Sequence, residues 1–253
     1  MNILRRLSSG ILLLLVLFHG SCKKGVPEKS GIAFTFDDHY ILQWYNARDL
    51  FNEYGIKATF FINRPQNLLA EDIIMLKQLE NDGHEIACHS MNHIDLIDFL
   101  SNHTVNDYIN QEVIPAIEIM NQFGFKVSAY AYPYGKSTPE SDKELLKYFK
   151  VLRKATYNIE NTEINKIDRI FTKINSSRVV DAMGIDSGYG ISLENLENGM
   201  IRAKRNNEVL VVYAHCIEQK ELGSNISREY LKQAFELSKK QHLNAVTFSN
   251  LKN

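Results

Sequence analysis

The chain has 253 residues, 44% hydrophobic and 23% charged, with a formal net charge of −1. That is the balance of a globular chain with enough apolar side chains for a sizeable core. It gives no sign of a nucleic-acid-binding surface, and there is no internal repeat or low-complexity run.

The first twenty-odd residues form a targeting segment. Arg5 and Arg6 supply the charged region, residues 11–18 are an apolar run too short to span a bilayer, and Gly20 and Ser21 precede Cys22. The pattern resembles a bacterial lipoprotein signal, with His19 in place of the usual Leu. It implies cleavage after residue 21, lipidation of Cys22, a short tether over residues 22–30 and a membrane-anchored protein of the cell envelope. Residues 31–253 are then one domain.

A strand is predicted over residues 31–36, ending abruptly in Asp37 and Asp38. Side chains alternate along a strand, so the two carboxylates can take different jobs. A helix over 40–54 is stopped by Gly55, and Trp44 on it reads as a packing residue. A Thr- and Phe-rich strand follows at 57–62, then an amphipathic helix at 69–81 and a short strand at 84–88. The helix predicted over 105–123 contains Pro115, which should kink or break it. Strands at 127–132 and 151–155 flank a helix at 140–149. Weaker strand signals lie at 171–176 and 178–180, and residues 156–190 are the least readable part. A helix at 193–205, a strongly apolar strand at 209–214, a helix at 228–241 and a strand at 245–248 complete the chain. Strands and helices alternate about seven times, which argues a mainly parallel sheet, closed or nearly closed. In such folds chemistry sits at strand C-termini, where Asp37, Asp38, His89, Tyr134 and His215 all fall.

His89 and His93 are four residues apart, a spacing that on a helical turn puts two imidazoles on one metal ion. With one carboxylate from the first strand they make a three-ligand site with an open fourth position, the pattern of catalytic zinc, which activates water near neutral pH. The other aspartate can serve as general base, and His215 is suited to be the acid. A backbone N–H in the turn after Pro133 can stabilise an oxyanion. Cys88 and Cys216 flank two of these histidines; they are expected to be buried free thiols, although an exported protein could pair them.

Thr35-Phe-Asp-Asp38, His89-Ser-x-x-His93, Tyr132-Pro-Tyr-Gly135 and Tyr213-Ala-His215, in this order and spacing, resemble the motifs of the polysaccharide deacetylases, the NodB-homology group of carbohydrate esterase family 4. The resemblance covers residues 31–250. It implies a distorted (β/α)7 barrel of the α/β class that removes acetyl groups from a glycan. It also implies Asp37 as base, Asp38, His89 and His93 as ligands of a divalent metal (zinc first, cobalt or nickel as alternatives), His215 as acid and the Tyr134 N–H at the oxyanion. The expected partners are an acetylated glycan and, through Cys22, the membrane; no protein partner is readable.

Three positions depart from the family pattern. His39 stands where Gly is usual and is expected to sit on the rim. Ala131 replaces an Arg that pairs with the catalytic base, so Asp37 should titrate higher, unless Arg178 substitutes. The fourth motif lacks its Trp, leaving Asp186, ahead of Asp181, to orient His215. These departures motivate an alternative: a catalytically impaired glycan-binding lipoprotein on the same barrel. A different metal-dependent amide hydrolase is a further alternative, since fold does not fix substrate.

Overall fold

The computed structural model describes residues 30–156, 163–218 and 224–252. Its organising element is β1 (Gly31–Asp38), buried along nearly its whole length. Ile32, Phe34 and Phe36 point outward into one apolar cluster under the helices, while Ala33 belongs to a second cluster inside the barrel. This alternation is the period of two expected of a strand covered on both faces.

Seven parallel strands close into a barrel: β1, β2 (Thr59–Ile62), β3 (Glu85–Cys88), β4 (Ala129–Ala131), β5 (Val151–Thr156), β7 (Val179–Gly184) and β8 (Val209–Ala214). The seam is β8 against β1, with Ile32 opposite Leu210 and Phe36 opposite Ala214. The upper half of β1 pairs with β2, Asp37 lying opposite Phe61. Lower down, β11 (Asn244–Ala245) takes that place beside Gly31 and Ile32. The two-residue β6 (Phe171–Thr172) pairs antiparallel with β8, and β9 (Cys216–Ile217) pairs with β10 (Asn225–Ile226) above it.

Five alanines, Ala33, Ala87, Ala129, Ala131 and Ala182, help line the interior. Small residues there leave room for Phe61, Tyr213 and one buried Arg153. Phe248 and Leu251, in the last turn of the chain, close the lower end. The chain is thus a single-domain, distorted (β/α)7 barrel, as the family resemblance implies, and its sheet is mainly parallel and closed, in keeping with the alternation of strands and helices.

The helical layer follows the sequence with informative differences. The first predicted helix is two, α1 (Ile41–Asn46) and α2 (Arg48–Tyr54), and Gly55 ends the second at φ 65°. Next come α3 (Ala70–Asn81) and the one-turn α4 (Leu96–Phe99). The helix with Pro115 is α5 (Val105–Tyr108), a π turn (Ile109–Val113) and α6 (Ile114–Gln122). Proline has no N–H to give, so the ladder widens just before it rather than breaking. The remaining helices are α7 (Pro139–Leu145), α8 (Leu193–Asn206) and α9 (Arg228–Lys240). Among the described residues no α-helix crosses between β5 and β7; short 3₁₀ turns and β6 take its place, which is why residues 156–190 lack helical periodicity. No described helix is long and apolar enough to cross a membrane. The signal segment, Cys22 and the tether up to residue 29 lie outside the described residues.

Candidate active site and metal centre

Asp38, His89 and His93 offer donor atoms that all lie within 4.8 Å of one another. Asp38 Oδ1 is 3.3 Å from His93 Nε2 and 3.8 Å from His89 Nε2. Strand alternation alone would turn Asp38 outward, but its backbone is left-handed, at φ 85°, and the Asn63 side chain donates to Oδ1 at 2.7 Å. His89 follows β3, and its Nδ1–H donates to the Ala131 carbonyl at 2.8 Å. That bond fixes the tautomer and turns the Nε2 lone pair toward Asp38. Burial pushes the His89 imidazole down to about 4, outweighing the nearby carboxylates, and lowers His93 in the same way. Both rings are therefore neutral near pH 7, as metal ligands must be. Two neutral imidazoles and a carboxylate converging this way fit a divalent cation.

The spacing of His89 and His93 does not come from a helix. Ser90 and His93 are left-handed, at φ 73° and 62°, and the His93 N–H donates to Ser90 Oγ at 2.9 Å. A compact turn brings the rings together, with centroids 4.9 Å apart. Three non-glycine residues in this region of backbone space, each at an expected cost of ~1–3 kcal/mol, mark a site held by its surroundings.

Asp37 points into the barrel and pairs with Arg153 of β5. Arg153 is 1% exposed, its guanidinium carbon 5.2 Å from the Phe61 ring and 4.9 Å from the Tyr213 ring. Burial alone would raise the Asp37 pKa; the guanidinium, helped by His89 and His215, holds it below the usual carboxylate value. The other carboxylate oxygen, Oδ1, is buried with no hydrogen-bond partner among the described residues.

His215 sits just past β8. Its Nδ1–H donates to Asp186 Oδ2 at 2.6 Å, and its backbone N–H donates to Oδ1 of the same carboxylate at 3.1 Å. Burial opposes a charge on this ring, yet the Asp186 hydrogen bond and the fields of Asp37, Asp186 and Asp38 raise its pKa. Asp181, the second candidate, is in mid-β7 and faces outward, against Lys154 and Arg169. Trp44 is buried on Phe60 as a packing residue, and its indole N–H also donates to the His215 carbonyl at 2.8 Å.

Tyr134 occupies a tight turn, Pro133–Gly135, at φ 57°, with its ring 4.8 Å from that of His93. Asp37, Asp38, His89, His93, Tyr134, Arg153 and His215 meet around one cavity of about 230 Å³. His39 stays on the rim, donating from Nδ1 to the Asn63 carbonyl at 3.3 Å. Cys88 and Cys216 are buried and are not joined in a disulfide.

A family model described as polysaccharide deacetylase matches residues 24–157, just over half of the chain. The chain belongs to the polysaccharide deacetylase family. It is 31% identical over 103 residues to a bifunctional xylanase/deacetylase of Pseudobutyrivibrio xylanivorans, a match covering 41% of this chain and 16% of that protein. It is 30% identical over 114 residues to a peptidoglycan-N-acetylglucosamine deacetylase of Bacillus cereus, covering 44% and 39%. The matched part thus spans less than half the length of these curated relatives. The fold is that of the chitin deacetylase from Colletotrichum lindemuthianum, with a TM-score of 0.54 at 14% identity over 88% of each chain.

Two expectations need correction. Arg178 does not replace the cation absent at Ala131: its guanidinium donates to the carbonyls of Leu146, Phe149 and Lys150, at the end of α7. Arg153 does, from the neighbouring strand, where it lies opposite Ala131 in the register. Asp37 therefore has a lowered pKa rather than the higher one expected from a missing partner. Arg153 could have been found from Val151-Leu-Arg-Lys-Ala155: two adjacent cations in a buried strand cannot both face outward. Asn63 and the second role of Trp44 left no signal in the sequence.

Proposed function

We propose that this chain is a divalent-metal-dependent hydrolase that removes acetyl groups from a glycan. The observation that carries the reading is the convergence of Asp38, His89 and His93 beside an arginine-held Asp37 and an aspartate-held His215 on a single cavity. A structural metal site would need neither of the last two. Asp38, His89 and His93 would hold the ion; the donor set suits zinc, with cobalt or nickel able to replace it. A bound divalent ion supplies Lewis-acid polarisation and makes water acidic near neutral pH.

The chain's own groups divide the remaining work. Asp37, kept ionised by Arg153, takes the proton of the attacking water through its free Oδ1. His215, with Nδ1 committed to Asp186, presents Nε2 and gives a proton to the leaving amine or sugar hydroxyl. The Tyr134 backbone N–H is assigned to the developing oxyanion, in a turn whose left-handed geometry is fixed before substrate arrives. Asp186 is thus a positioning residue and Asp37, His215 and Tyr134 are the catalytic ones. The grounds for an inert glycan binder weaken accordingly, because the apparent gaps at the third and fourth motifs are filled by Arg153 and Asp186.

The relatives named above act on xylan-, peptidoglycan- and chitin-type material by their descriptions, so an N- or O-acetylated glycan is the proposed substrate. The signal pattern before Cys22 supports export and lipid anchoring at the cell envelope. The test is acetate release from chitin oligomers, peptidoglycan fragments and acetylated xylan by the zinc-loaded protein and its Asp37→Asn variant. Release from at least one, reduced ~100-fold or more in the variant, is expected. Equal rates in the two proteins would overturn the proposal in favour of a binder.

A further inference from the structure

The segment between the two site histidines is held from outside the cavity. Glu112 lies in the π turn of the α5–α6 helix and is fully buried. Its Oε2 accepts the Asn92 backbone N–H and its Oε1 accepts the Asn92 side-chain amide, both at 2.7 Å. Its own carbonyl accepts the Met91 N–H at 2.9 Å. Asn92 immediately precedes His93, which is left-handed and brings Nε2 to 3.3 Å from Asp38.

The π turn is what aims Glu112. The Ile114 N–H bonds back five residues, to the Ile109 carbonyl, one residue before Pro115. One residue is thereby inserted into the helix, and it rotates the following turn by roughly 100° relative to a regular α-helix. A buried carboxylate making two short hydrogen bonds to one residue fixes that residue's position more tightly than packing alone. We propose that Glu112 is a positioning residue for His93, holding the 90–93 turn in its strained conformation so that the imidazole meets Asp38 and His89. This rests on the reading of those three residues as a metal site.

The test compares cobalt(II) binding by the full chain, measured by competition with a chromophoric chelator and by the visible absorption band of the bound ion. Glu112→Ala should weaken binding by about 10- to 100-fold and alter the band, the size typical of removing a group that orients a ligand. Glu112→Gln should bind within about threefold of the parent protein, because its amide can still pair with both Asn92 groups once the Asn92 amide flips. Asn92→Ala keeps the backbone bond to Glu112 and removes the side-chain one, together with a longer 3.3 Å bond accepted from Gln66, on an exposed residue, and should weaken binding by about three- to tenfold. It answers the question even if Glu112→Ala does not fold. Parent affinity and an unchanged band in Glu112→Ala, or in Asn92→Ala if only that variant folds, overturn the proposal. Equal binding by the parent and His93→Ala overturns the metal-site reading instead, and the proposal with it.

Discussion

Arg153 governs the charge state of Asp37, so its removal should be read in a pH profile. In the native site Asp37 stays ionised well into the acid range, because its pKa lies below the ordinary value. Without the guanidinium, burial acts unopposed and the pKa rises. Arg153→Met should therefore move the acid limb of kcat/KM to higher pH and lower its plateau by about tenfold or more. An unmoved acid limb would separate Arg153 from the base. Asp186→Asn acts on the other limb: His215 loses the partner that raises its pKa, stops being protonated at a lower pH, and the alkaline limb should move down. Residues such as Asp37, Asp38, His89, His93 and His215 were legible in the sequence because their types are rare together and their order is fixed. Asn63 was not, because its side chain acts on Asp38, 25 residues away, with no local pattern to mark it, whereas Arg153 left only the hint of two adjacent cations in a buried strand, its partner lying 116 residues away.

The turn after β4 is the element that positions Tyr134, and Gly135 is where it is least tolerant. Gly135 has φ 67°, and a Cβ there would lie 2.2 Å from Ala155 Cβ and 2.4 Å from its backbone nitrogen. Because the obstacle includes backbone, β4 and β5 would have to separate. Gly135→Ala should lower stability by about 3 kcal/mol or more and displace Tyr134, so acetate release falls further than the folded fraction. Denaturant unfolding with activity per folded molecule checks both parts. Other elements followed their sequence periodicity closely, among them β8 and α9, whose bounds are within one residue of expectation. The 105–123 helix was read without its π turn, since periodicity cannot register a single inserted residue. A spacing of four suits two ligands on a helical turn, but at His89 and His93 the left-handed backbone of Ser90 and His93 brings the rings together instead.

The molecule as a whole is a small-bore barrel whose outer layer contains one titratable group with a predictable effect on stability. His84 is buried between Phe51 and Phe60, with ring centroids 5.0 and 5.4 Å away, and its Nδ1 accepts the Ala58 N–H. Burial pushes its pKa down to about 4, from 6.5. Above pH 6.5 the neutral ring costs nothing. Below it the unfolded chain takes up a proton that the folded chain refuses, so stability falls down to about pH 4 and then levels off. The loss is on the order of 3 kcal/mol. The stability difference between parent and His84→Gln should therefore shift by about that amount, in the variant's favour, between pH 7 and pH 4. A constant difference would contradict the assignment. Barrel closure itself was legible from seven alternations of strand and helix, while the interior was not: alanines that make room for Arg153 look in a sequence like any others.

The central claim is that one divalent ion, gripped by Asp38, His89 and His93, is required for acetyl removal. The most direct measurement is acetate release by chelator-stripped protein titrated with zinc. Activity should be absent after stripping and should return in proportion to added zinc, saturating near one equivalent per chain. Stripped protein that releases acetate as fast as the reloaded protein would contradict the account.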